Sequence, residues 1–230
     1  MKIHAIIPVR SGSRRVMDKN VRPFAQGNLL KIKIQQLLTV PEICSVCVNS
    51  NDEEMLELAG DLGAIAYQRD PYYASDSIPM SEVYRNMVEP LECDVVCYAT
   101  VTTPFIDAVD YSRLIKEYID CRGEHDSVHT SSRVFDFLRQ DGKALNYNPE
   151  CFPRSQDLPN IQKLVFGAAV IERSLMICRK SSLGAKPKLH EVSQLKAMDI
   201  DSPLDFEIAE HLYQVKVLES KAEYHATEES

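Results

Sequence analysis

Four cations fall between residues 10 and 19: Arg10, Arg14, Arg15 and Lys19, interleaved with Ser11, Gly12 and Ser13. Small residues let backbone N–H groups approach an anion closely, and the cations neutralise it. A guanidinium matches the edge of a phosphate, whereas an ammonium acts as a mobile point charge. The whole chain carries a formal net charge of -8, so a basic cluster here suggests a polyphosphate site. By charge alone, a solvated turn fits equally well. The spacing is neither G-x-x-x-x-G-K-[ST] nor G-x-G-x-x-G, so neither P-loop nor dinucleotide chemistry is supported.

A second constellation lies far along the chain, in Met198-Asp-Ile-Asp-Ser-Pro-Leu-Asp-Phe206. In an extended segment Asp199 and Asp201 project to the same face. Two carboxylates held together repel unless a cation sits between them. Hard oxygens suit Mg²⁺ or Mn²⁺, which take one or two carboxylates plus substrate phosphates and water. A capped helix start with both carboxylates solvated is the other reading. Ser202 is a candidate N-cap ahead of Pro203, and Asp205 a first-turn partner of the helix dipole.

The elements that must position these groups alternate. Strand-like runs fall at Lys2–Pro8, Ser45–Asn49, Ala64–Tyr67, Val95–Thr100, Ser127–Ser131 and Leu164–Ile171. Helical spacing of apolar residues falls at Leu29–Leu38, Glu53–Leu62, Met80–Leu91, Val109–Tyr118 and Leu204–Leu218. Alternation of this kind predicts an α/β fold with a mostly parallel sheet, in which ligands bind beyond the carboxyl ends of the strands. The basic loop follows the first strand at such an end. A single domain over 1–218 is expected, with an irregular arm at about 135–163 and a polar tail at 219–230.

With 44% hydrophobic and 26% charged residues, the composition is that of a globular protein. No apolar run approaches the roughly 20 residues that span a bilayer, and Arg10 interrupts the first apolar stretch. We therefore expect a cytoplasmic protein without a membrane partner. The acidic balance argues against nonspecific nucleic-acid binding. The seven cysteines are scattered and read as reduced thiols. Cys44-Ser-Val-Cys47 has C-x-x-C spacing but no second ligand pair, so core packing is the expectation.

Six segments together resemble the acylneuraminate (CMP-sialic acid synthetase-like) cytidylyltransferases. Ala5–Asn20 is similar to I-P-A-R-x-G-S-K-x-[IL]-x-x-K-N, and Asp199–Glu210 to D-I-D-[ST]-P-x-D-[FL]. Between them Val48–Leu56, Arg69–Ser77, Thr102–Phe105 and Arg154–Pro159 resemble V-S-[ST]-D-D-E-E-I-L, R-P-x-x-L-A-x-D, T-S-P-L and R-x-Q-D-L-P. The resemblance implies a Rossmann-like nucleotidyltransferase of the nucleotide-diphospho-sugar transferase type, with a seven-stranded sheet flanked by helices, dimeric through an arm. It implies the reaction of CTP with a 2-keto-3-deoxy sugar acid (a ulosonic acid) to give a CMP-sugar and pyrophosphate, with Mg²⁺ as cofactor.

Carried over by position, Arg10 and Lys19 neutralise the triphosphate, with Lys19 nearest the α-phosphate. Ser13 and Arg14 line its β/γ side, Ser11 and Gly12 belong to the same nucleotide-binding loop, and Asn20 helps to hold the nucleoside. Asp76 and Ser77 lie near the base or ribose. Asp199 and Asp201 hold the metal, and Asp201 helps to deprotonate the attacking hydroxyl. Thr100, Thr102, Arg154, Gln156 and Phe166 fall on the sugar side.

The departures from the family pattern are concentrated on that side. The family's Gln falls on Thr100, its Arg on Ile106 and its Asn on Phe166, while the first Asp of its D-D pair is Asn51. The acceptor is therefore expected to differ from N-acetylneuraminic acid. The Q-G-D-E-P loop of octulosonate cytidylyltransferases is replaced by Thr100-Val-Thr-Thr-Pro104. An eight-carbon acceptor, or a nucleotide-binding module without turnover, remain the alternatives.

Overall fold

The computed structural model describes residues 1–13 and 15–228, with side chains through residue 216. Arg14 and the side chains of the 219–230 tail therefore lie outside the described residues. Seven strands form one sheet: β1 (Ile3–Pro8), β2 (Ser45–Ser50), β3 (Ile65–Gln68), β4 (Val95–Ala99), β5 (Ser127–Val134), β6 (Ile161–Glu172) and β7 (Pro187–Glu191). Their order across the sheet is β7-β5-β6-β4-β1-β2-β3. All neighbours are parallel except β6, which runs antiparallel to both β4 and β5.

Alternation along the strands sorts apolar side chains onto two faces. On one, Ala5, Ile7, Val46, Val48, Cys97 and Val170 pack against α1 (Leu29–Leu38), α2 (Glu53–Asp61), α4 (Ala108–Cys121) and the start of α6 (Pro203–Glu228). On the other, Ile6, Cys47, Val96, Tyr98 and Ile171 pack against α3 (Met80–Val88) and α5 (Arg173–Arg179). The result is the expected sheet flanked by helices.

Helix starts follow their capping residues. Asn28 and Asp52 accept from the backbone N–H groups of Lys31 and Met55, at 2.8 and 3.1 Å. Asp107 and Asp110 close a reciprocal box at the start of α4. The Ser202 hydroxyl caps α6 by accepting from the Asp205 backbone at 3.2 Å, and the Asp205 carboxylate returns the bond to the Ser202 N–H at 2.7 Å. Asp205 is thus part of a capping box as well as a dipole partner.

Two sequence expectations shift. Cys47 is buried in β2, where burial pushes its thiol up to about 12, but Cys44 precedes the strand and is exposed. The edge strand Pro187–Glu191 and the short helix Arg173–Arg179 carry no periodicity that marked them in advance.

One close approach fixes the boundary between β4 and β6. Thr100 donates its N–H to the Gly167 carbonyl at 3.2 Å, and the Tyr111 hydroxyl donates to the same oxygen at 3.3 Å. A Cβ on Gly167 would lie 2.4 Å from Ile106 Cδ1 and 2.7 Å from Thr103 Oγ1. Ile106 is fully buried and packs in the core, outside the wall of the cavity described below. Gly167→Ala is expected to lower unfolding free energy by about 1–3 kcal/mol, the usual penalty of overpacking. A urea titration showing an unchanged midpoint would mean that Ile106 repacks at no cost.

Candidate active site

β1 ends at Pro8, and Val9 continues its pairing by donating to the Asn49 carbonyl at 3.0 Å. The chain then leaves the sheet and returns at α1. Val16 is buried in the core and anchors the middle of this loop, while Met17 is exposed. Asp18 adopts a left-handed conformation, φ 50°, and its carbonyl accepts from Val21 and Arg22. The buried Asn20 side chain donates to the Arg10 carbonyl at 2.9 Å, tying the two ends of the loop together. The loop is therefore shaped by the protein's own contacts.

A cavity of about 600 Å³ opens beside it, at the carboxyl ends of β1 and β4. Its wall includes Arg10, Ser13, Lys19, Asn20, Asp76, Thr100 and Thr102 from the set expected to bind nucleotide and sugar. Arg10 donates to the Ala74 carbonyl and pairs with Asp76, which fastens the 71–78 loop over the cavity. Ser77 sits beside this wall, its hydroxyl 2.8 Å from that of Ser75. Ser11 faces away: its hydroxyl accepts from the Asn51 amide at 2.9 Å. Gly12 has φ 77°, in the region glycine favours, and open space around its Cα.

Arg69 also lines the cavity, and sequence reasoning gave it no role. It is 4% exposed. Its guanidinium donates to the Asn49 side chain at 2.6 Å and to the Asn49 carbonyl at 2.8 Å. Burial, together with the nearby Arg10 charge, pushes it down to about 10. Its place in the Arg69–Ser77 motif was the available signal.

The acidic run from the other end of the chain closes on the basic loop. Lys19 Nζ donates to the Ile200 carbonyl at 2.6 Å, bridging 181 positions of sequence, and Arg15 pairs with Asp201 at 2.7 Å. Ile200 donates its N–H to the Thr102 carbonyl at 2.9 Å, so the strip between the two aspartates is pinned from both sides. Burial lowers the Lys19 ammonium below its ordinary range, opposed by the charges of Asp199 and Asp201. Burial raises the Asp199 carboxyl; a hydrogen bond from Thr102 opposes this, and the Asp201 charge adds to it.

A carboxyl made reluctant to ionise by its surroundings and by a like charge is stabilised by a cation. Among the described residues no group of three or more His, Cys, Asp or Glu side chains converges as a metal site. Asp199 and Asp201 are the carboxylates here that could hold a divalent ion whose shell is completed by other oxygens.

The turn after β4 is held from beneath. Lys33 of α1 is fully buried and donates to the carbonyls of Thr103 and Ile106 at 3.1 and 2.8 Å, with its ammonium 5.0 Å from the Tyr111 ring centre. Burial pushes its pKa down to about 7, opposed by Asp107 and Asp110. This fixes the segment carrying Thr100 and Thr102. Arg154 and Gln156 stand apart: both are exposed on the arm, and Arg154 pairs with Asp157 at 2.8 Å. Phe166 lies on β6, 46% exposed and outside the cavity wall.

Comparison with known proteins supplies the remaining finding. A family model described as Cytidylyltransferase matches residues 4–224. The chain is 23% identical to the Post-translational flagellin modification protein B of Campylobacter coli, over 96% of this chain and 98% of that protein. It is 28% identical to a Pseudaminic acid cytidylyltransferase of Campylobacter jejuni, over 94% of this chain and 97% of that one. It is 27% identical to N-acylneuraminate cytidylyltransferase A of Danio rerio, over 90% of this chain and 50% of that one. A solved CMP:2-keto-3-deoxy-manno-octonic acid synthetase complexed with CTP superposes with a TM-score of 0.70 at 17% identity, covering 94% of this chain and 100% of that chain, a likeness of fold. No helix among the described residues is long and apolar enough to cross a membrane.

Proposed function

The chain belongs to the cytidylyltransferase family, and from that premise we propose that it transfers CMP from CTP to the anomeric hydroxyl of a ulosonic acid. One observation carries the reading: two cations of the cavity wall, Lys19 and Arg15, are bonded to Ile200 and Asp201, which brings the aspartate strip to the rim of that wall without Asp199 or Asp201 lining it.

The reaction breaks the bond between the α-phosphorus and the pyrophosphate oxygen and forms one to the anomeric oxygen. Phosphoryl chemistry of this kind is dominated by positioning and charge neutralisation. Arg10, Ser13 and Lys19 bind the triphosphate, with Arg14 a further candidate from the same loop. Asn20, Asp76 and Ser77 hold the nucleoside end, to which we add Arg69. Asp199 and Asp201 would hold Mg²⁺, which supplies Lewis-acid neutralisation of phosphate charge. The proton of the attacking hydroxyl passes to the Asp201 carboxylate.

Thr100 and Thr102 face the acceptor. Thr100 carries only a hydroxyl, already shared with Thr103 at 3.2 Å, where the family carries a longer amide. An unpaired buried group costs roughly 1–3 kcal/mol. N-acetylneuraminic acid is therefore expected to be turned over with a kcat/KM about tenfold to a hundredfold below that of a deaminated, diamino or eight-carbon relative. The test is pyrophosphate release with CTP and that panel of acceptors. N-acetylneuraminic acid emerging as the best substrate would overturn the reading of the acceptor side. No release with any ulosonic acid would overturn the function.

A homodimer completes the proposal. The arm exposes Phe137 and Phe152 around a half-buried Tyr147, the three rings lying 5.0 to 5.5 Å apart, and Phe152 is 65% exposed. Such a patch suits a second copy, which would also bring Arg154 and Gln156 within reach of an acceptor.

A further inference from the structure

β5 carries a buried polar stripe: Ser127, His129 and Ser131 are each fully buried on one face of the sheet. His129 is unusual within it. Its Nδ1 lies 2.9 Å from the Thr130 carbonyl oxygen. A carbonyl oxygen only accepts, so the ring proton is on Nδ1 and the lone pair on Nε2. Nε2 has no hydrogen-bond partner and no access to solvent. Burial lowers the imidazole's pKa below its ordinary value, opposed by the Thr130 hydrogen bond. The ring is thus a neutral acceptor with nothing to accept, and a buried group in that state is costly.

One aromatic side chain packs on it. The Phe166 ring stands edge-on to the imidazole, 5.1 Å between centres, and is itself 46% exposed. Phe166 belongs to the stretch where β6 loses its register, between Leu164 and Ala169. The Thr130 hydroxyl fills that irregularity by donating to the Val165 and Ala168 carbonyls, at 2.6 and 2.9 Å. The backbone on either side of Phe166 is therefore held, while its ring stands half-exposed at the surface.

The place lies two strands from the cavity. Across the sheet Tyr98, Ala169 and His129 are register partners on adjacent strands, and Tyr98 lines the cavity. Strands lie about 4.8 Å apart, so His129 is roughly 10 Å from Tyr98 on the same face. Phe166 adjoins Gly167, which is bonded to the cavity residue Thr100.

Resting on the ulosonate reading above, we propose that His129 is a specificity-determining residue for the acceptor. When the Phe166 ring turns aside, His129 Nε2 accepts a hydrogen bond from a hydroxyl or acylamino N–H on the side chain of the sugar acid. The missing partner of Nε2 is the substrate.

The test combines kinetics with a measurement that needs no turnover. His129→Leu, which removes the lone pair and keeps an apolar filling, is expected to raise the acceptor KM about tenfold while leaving the CTP KM unchanged. His129→Gln, which restores an acceptor oxygen, is expected to recover part of the loss. An unchanged acceptor KM in His129→Leu, or equal changes for CTP and acceptor, would overturn the proposal. In the parent protein labelled with ¹⁵N at histidine, titration with the deaminated nine-carbon acid, in the presence of a nonreactive CTP analogue, should shift the His129 Nε2 resonance. A fixed resonance at saturation would also overturn it, and this measurement decides the matter if the variants misfold. Parent turnover with unaltered His129 behaviour defeats this proposal alone, whereas absence of parent turnover defeats the ulosonate reading.

Discussion

Lys19→Ala is expected to slow pyrophosphate release by roughly 10²–10³, which corresponds to about 3–4 kcal/mol of transition-state stabilisation. Its ammonium is half-buried and its ordinary pKa is lowered by that burial, so its charge acts in a poorly screened place. It donates to the Ile200 carbonyl at 2.6 Å. Exchange of a neutral carbonyl for a phosphate oxygen strengthens the contact when charge develops there. Single-turnover kinetics should show the loss in the chemical step, with CTP affinity reduced less. Lys19→Arg should recover little, because the planar fork cannot replace a point donor at the same spot. Parent-like turnover by Lys19→Ala would remove Lys19 from the reacting phosphate.

Asp199→Asn and Asp201→Asn should each preserve the fold and reduce activity by about 10² or more, with the loss partly offset by raised Mg²⁺. The substitution keeps the side-chain volume and removes one anionic ligand. Asp201→Asn should cost additionally through the proton it takes, a loss that added metal does not restore. A pH dependence follows from Asp199. Its carboxyl is held above the usual range by burial and by Asp201, and it must be ionised to bind a cation. Apparent Mg²⁺ affinity is therefore lost as pH falls through that raised value, at a higher pH than an ordinary aspartate would set. Titration of Mg²⁺ at several pH values reads this out, and metal-independent pyrophosphate release would contradict the assignment.

Much of this candidate site could be named from sequence because the residues proposed for it stand in two short runs. Strand, small residues and cations stand together at 5–20, and paired aspartates stand just ahead of a capped helix at 199–205. Local patterns of this kind survive any uncertainty in topology. Other groups owe their roles to neighbours far along the chain. Arg69 is a cavity residue because β2 and β3 pair and bring Asn49 beside it. Lys33 reads as a surface charge on α1, yet the Thr103–Ile106 turn supplies two carbonyls and Tyr111 a ring to receive it. β7 was missed because an edge strand opening on proline and carrying Lys, His and Glu lacks a clean alternation. The loss of register in β6 depends on a hydroxyl from β5, which no reading of β6 alone would show.

The antiparallel course of β6 has a consequence for how such an enzyme can diversify. β5 leaves the sheet at Val134 and β6 enters at Ile161, and these two residues are register partners. The stretch between them is a closed excursion whose ends are already clamped by the ladder. Lengthening such a loop costs only slowly increasing closure entropy, and no change there has to pass through β1, β2 or the capping box of α6. The excursion is thus mechanically separable from the sheet that carries it. The surface that the arm presents to a partner can change in length and composition while β1, β2 and the α6 cap are copied forward intact.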